Sequence, residues 1–131
     1  MSSKILASIV ISGDEMSFDA CSKAVGLDPT TTFVRPYDYD SSLIAARQWC
    51  FATGKVELES IDDAVQALLS YLPSMHSIAD FATLGNYDVE LICSVDVYED
   101  RPLYELSKES IASLSRLRAR FSMEIHDLTE D

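Results

Sequence analysis

The chain has 131 residues, of which 47% are apolar and 9% aromatic, and a formal net charge of −12. That length suits one domain with its own hydrophobic core rather than two, and the apolar content excludes a wholly disordered chain despite the charge. No apolar run approaches the roughly 20 residues of a membrane-spanning helix, and Cys21, Cys50 and Cys93 form neither a disulfide framework nor a CxxC pair, so the expectation is a single cytoplasmic domain over residues 1–131 with buried thiols.

The first element is KILASIVISG, which alternates with Ile5, Ala7, Ile9 and Ile11 on one side and Leu6, Ser8 and Val10 on the other. This pattern predicts a well-covered strand. In MSFDACSKAVG, Phe18, Cys21, Ala24 and Val25 recur at helical spacing. Ser17 can cap that helix, Gly26 can end it in the left-handed conformation, and Pro29 prevents its continuation. TTTFVRP is β-prone but short, YDYDSS reads as a long loop or irregular hairpin connection, and RQWCFATG is a strand with Trp49 and Phe51 on one side and Cys50 on the other.

LESIDDAVQALLSYLP is the best-patterned helix. Ile61, Ala64, Val65, Leu68, Leu69 and Leu72 form its apolar stripe, Ser60 and Asp63 fit a capping box, and Pro73 supplies the stop. MHSIADFATLGN predicts only another helical turn or two before Gly85 and Asn86 turn the chain. YDVELICSVDVY is the clearest strand, with Val89, Leu91, Cys93, Val95 and Val97 facing a core and Asp88, Glu90, Ser94, Asp96 and Tyr98 facing away, interrupted by Ile92. That alternation belongs to a sheet covered on one side. RPLYEL adds a brief strand, KESIASLSRLRARF an amphipathic helix through Ile111, Leu114, Leu117 and Phe121, and MEIHDL a short last strand. The order predicts an α+β two-layer sandwich, a mainly antiparallel sheet with helices packed on one face.

The charge is concentrated. Between Lys55 and Arg101 lie Glu57, Glu59, Asp62, Asp63, Asp80, Asp88, Glu90, Asp96, Glu99 and Asp100 with no basic residue among them. Carboxylates resist burial without a partner. Gathered on one exposed surface, they repel nucleic acid and anionic lipid and attract a basic protein. Asp62 and Asp63 also have a structural reason, since they lie in the first turn of a helix, where the exposed N–H groups favour negative charge. The candidate partner-binding residues are therefore Glu57, Glu59, Asp62, Asp63, Asp88, Glu90, Asp96, Glu99 and Asp100, joined by Tyr37, Asp38, Tyr39 and Asp40, where two aromatics supply contact area beside charge.

Catalytic chemistry has little to build on. Gly13, Gly26, Gly54 and Gly85 are too far apart for a phosphate-binding loop. Glu124 and His126 share one face of a strand while Asp127 takes the other, which divides the densest set of metal-ligand types. No catalytic, cofactor or metal site is expected. Three functional classes compete: an acidic binding module for a basic protein; a structural or homodimerising domain that sets Arg116, Arg118 and Arg120 against the acids; and a small hydrolase or ligand-binding protein.

The segments IVISG at 9–13, VGLDPT at 25–30, RQWCF at 47–51, ALLSYLP at 67–73 and VELICSV at 89–95 together resemble the bacterial family called domain of unknown function 4279. GLDPT and the following Trp49 are the most specific parts. VG stands where the family more often has LG, and TTTFVRPYDYD lacks the glycine that often follows. The resemblance implies an α+β domain with no established catalytic residue. Some relatives are associated with toxin-immunity neighbourhoods, which implies neutralisation of a toxin by binding and occlusion.

Overall fold

A computed structural model describes residues 3–36 and 46–129 of the chain. In order they form β1 (Lys4–Gly13), α1 (Phe18–Val25), β2 (Thr31–Val34), β3 (Arg47–Ala52), β4 (Val56–Glu57), α2 (Ile61–Tyr71), α3 (Met75–Gly85), β5 (Asp88–Val97), α4 (Lys108–Leu117) and β6 (Arg120–Asp127). The strands make one sheet in the order β2-β3-β1-β5-β6, with β4 also against β1. All pairings are antiparallel except β5 with β6, which α4 connects as parallel neighbours.

Register explains the layers. Ile5, Ile9 and Ile11 of β1 lie level with Val95, Leu91 and Val89 of β5, and Ile11 with Trp49 of β3. All are buried, and they share one cluster with Ile61, Val65 and Leu68 of α2, Ile78 of α3 and Leu117 of α4. Burying each such side chain contributes about 1.5–3 kcal/mol, so the helices gather on this face. Among the described residues no helix covers the other face, with Lys4, Leu6, Val10, Asp88, Glu90 and Asp96, whose side chains are half-buried or exposed. The predicted α+β two-layer sandwich, mainly antiparallel with helices on one side, is the observed architecture.

Local signals set the ends. Ser17 accepts from the Ala20 N–H and Ser60 from the Asp63 N–H, and Leu72 is extended as a residue before proline must be. Gly26 closes α1 at φ 82°, its N–H on the Ser22 carbonyl, and a β-carbon there would sit 2.9 Å from Cγ of Pro73. The GLDPT and LSYLP segments thus meet in space. Gly26→Ala should therefore lower stability by about 1–2 kcal/mol, read as a reduced urea midpoint at unchanged slope.

Three details depart from the sequence reading. The stretch expected to give a turn or two is a full helix, α3, capped by the Ser74 side chain on the Ser77 N–H and ended by Asn86 at φ 54°. RPLYEL contributes no strand beyond a single bridge from Leu103 to Ser60. Ile111, expected in the core, is 55% exposed, and Ser110 is buried in its place; the helix ends at Leu117, so Phe121 belongs to β6.

Candidate functional site

The antiparallel register brings the start of β1 beside the end of β5, with Lys4 level with Asp96 on one side and Glu57 of β4 on the other. The segment after β5 then folds over the same end. The Ser3 N–H donates to Asp100 (2.7 Å), the Leu103 N–H to the Glu59 carbonyl (2.8 Å), and the Ile61 N–H to the Leu103 carbonyl (3.0 Å). Both α2 and α4 begin here, so the positive ends of their dipoles lie at this end of the molecule and favour anions.

Seven of the ten central acids converge there: Glu57, Glu59, Asp62, Asp63, Asp96, Glu99 and Asp100. Two basic residues at this end are engaged, Lys55 with Asp96 at 2.7 Å and Arg101 with Asp127 at 3.6 Å. The hydrogen bond from Lys55 to Asp96, reinforced by their opposite charges, raises the Lys55 pKa. Glu57, Glu59 and Asp63 are exposed and make no ion pair among the described residues. Ser60, Asp62, Leu103 and Ser107 border a shallow cleft of about 180 Å³ at this end.

Asp62 is held differently. Its Oδ1 accepts from the Ser107 N–H at 2.9 Å and from the Ser110 hydroxyl at 2.5 Å, and these bonds hold its carboxyl below the usual carboxylate range. Ser110 is fully buried and also accepts from Nε2 of Gln66 at 2.6 Å. This clasp joins α2 to the start of α4, which makes Asp62 more a structural group than a contact one.

The other three acids lie elsewhere, so the expectation of one common surface is corrected. Asp80 sits on α3 beside His76, with their side chains 3.1 Å apart. Asp88 and Glu90 are on the open sheet face at the far end of β5, where Arg120 at the start of β6 binds Asp88 closely and lies 3.8 Å from Glu90. Ser122 adds a 2.8 Å hydrogen bond to Glu90. These groups edge a groove of about 460 Å³ floored by Val10, Gln48 and Ile92. Arg120 offsets one of their two charges, a pairing that also removes Arg120 from the expected arginine cluster. Nothing in the spacing of Asp88 and Arg120 reveals it, because the parallel β5–β6 pairing joins residues separated by a helix. Tyr37, Asp38, Tyr39 and Asp40 lie outside the described residues.

Chemistry elsewhere is sparse. Burial pushes the Cys21 thiol up to about 12 and that of Cys93 to about 11, leaving both protonated and poorly nucleophilic. Cys50 faces the open side on β3 and His126 the same side on β6, but β1 and β5 intervene, which separates them by at least about 14 Å. Among the described residues no three His, Cys, Asp or Glu side chains come together as a metal site, and no helix is long and apolar enough to cross a membrane.

The molecule is thus an α+β two-layer protein with one acidic end and one sheet face that, among the described residues, carries no helix. The chain belongs to the family described as Domain of unknown function (DUF4279), whose model matches residues 3–128. Comparison with curated proteins and with solved structures returned no match.

Proposed function

We propose that this chain is an acidic protein-binding module whose acidic end docks on a basic protein. The supporting observation is the convergence of seven carboxylates where the two longest strands and the first turns of α2 and α4 meet. Such a surface steers a cationic partner and excludes nucleic acid, whose phosphates it repels. Occlusion of a basic toxin, an immunity role, is the form of this activity that the family resemblance favours: a toxin that acts on phosphates needs a positive surface, and the acidic end imitates its substrate.

The test begins with copurification of the untagged protein from its native cells and identification of what it binds. Association with that partner should slow steeply as salt rises, because exposed charges are screened within a Debye length of roughly 8 Å at physiological ionic strength. Glu57→Lys combined with Glu59→Lys should reduce the association rate by about tenfold or more at low salt, with an unchanged circular dichroism spectrum. Asp80→Lys, on the helical layer, should leave it nearly unaltered. A rate indifferent to both salt and the double reversal would refute the reading.

A further inference from the structure

The sheet has two ends of unlike character. At one, β2 is four residues long and bracketed in sequence by Pro29 and Pro36, features that discourage another strand from adding. At the other, β6 runs for eight residues without proline or lysine, in unbroken register with β5 from Arg120 level with Glu90 to Asp127 level with Val97. Its outer edge has no strand against it among the described residues. On the helix side, Met123 and Ile125 lie level with buried Cys93 and Val95. They are nevertheless 41% and 52% exposed. The apolar layer therefore runs out to an edge that no described strand covers.

The chemistry of β6 complements itself. A continuous sheet requires that residues opposed across a new antiparallel pair belong to the same face. With a two-fold axis at Met123, Phe121 opposes Ile125 of a second copy and Met123 opposes Met123, which makes an apolar ladder on the helix side. On the open side Ser122 opposes Glu124 and Arg120 opposes His126, with Glu124 on its diagonal. Centring the axis on Glu124 instead sets carboxylate against carboxylate. The alternation of charge and apolar side chains along the strand thus favours a particular register with a copy of itself.

We propose that the chain forms a two-fold dimer in which β6 pairs antiparallel with β6 of a second copy, joining the two sheets into one. This inference uses residues apart from the acidic end and does not depend on that reading. The two also respond oppositely to salt: screening should strengthen the dimer, since two chains of net charge −12 repel at long range and meet through apolar side chains.

Sedimentation equilibrium of the full-length chain should give the mass of two 14.5 kDa chains, with the dimer fraction rising with salt. Met123→Lys, which sets two lysines against each other across the axis, should weaken association by at least about tenfold with an unaltered circular dichroism spectrum. Met123→Cys should form a linked dimer on mild oxidation, faster than the parent chain, because opposed residues on antiparallel strands lie within disulfide reach. A single-chain mass at every concentration and salt would overturn the proposal. So would a dimer unaffected by Met123→Lys, or a Met123→Cys variant that links no faster than the parent.

Discussion

Replacing Trp49 with alanine should lower the unfolding free energy by about 3–5 kcal/mol, a large part of the roughly 5–15 kcal/mol that holds a domain of this kind together. The indole is fully buried on the helix side of β3, level with Ile11 of β1, and its Nε1 donates to Oγ of Ser22 on α1 at 2.9 Å. It therefore joins the outer part of the sheet to the first helix through both area and a hydrogen bond. Trp49→Phe keeps most of the apolar contact and should lose only about 1 kcal/mol. Urea unfolding followed by circular dichroism separates the two outcomes, since Trp49 is the sole tryptophan and its fluorescence disappears with it. Equal losses in both variants would mean that the hydrogen bond, not the ring, carries the effect.

Removal of Asp62 should have the next largest effect. Asp62→Ala strips the acceptor from the buried Ser110 hydroxyl and from the Ser107 N–H, and leaving such donors unpaired costs about 1–3 kcal/mol. Asp62→Asn retains an oxygen in that position and should cost less. The pH dependence has a definite sign. The folded-state pKa of Asp62 is depressed, chiefly by the Ser107 N–H and then by the Ser110 hydroxyl, so its stabilisation is present above the unfolded value of about 3.9 and fades as pH falls through the lower folded value. Asp62→Asn should therefore show a shallower acid limb than the parent chain in urea midpoints measured down through that window. An acid limb of unchanged slope would mean that the carboxylate is not held as its bonds indicate.

Much of the fold was legible where one side of an element is buried and its ends carry specific groups. The stripe of α2, its Ser60 cap and its Pro73 stop are all in the sequence, as is the alternation of β5, because burial against one layer enforces period and phase together. α3 was underestimated since Ile78, Ala79 and Ala82 make a narrow apolar stripe while Leu84 stays exposed; Ser74 and Asn86 were the signals that could have marked its ends. Ile111 was misplaced because hydropathy assigns the core position to isoleucine, whereas the bonds of Ser110 to Asp62 and Gln66 turn the serine inward.

The candidate site was legible in composition but not in arrangement. Ten acids without a base are visible in the chain, yet only the pairing of β1 with β4 and β5 reveals that seven collect at one end. The compensation of Asp88 and Glu90 by Arg120 depends on the parallel placement of β6. No spacing rule relates residues on opposite sides of an intervening helix.

The central position of β1 bears on how the molecule comes into being. The first strand of this sheet in chain order is flanked in the finished sheet by β3 on one edge and by β5 on the other, with Ile9 beside Leu91. A nascent chain that has emerged only as far as α2 holds a greasy ribbon with one row of peptide groups unmatched, the condition under which incomplete polypeptides associate with one another. Closing so distant a contact is slow, so maturation should wait on synthesis of the second half, and fragments ending before β5 should be recovered as aggregates rather than as a smaller domain.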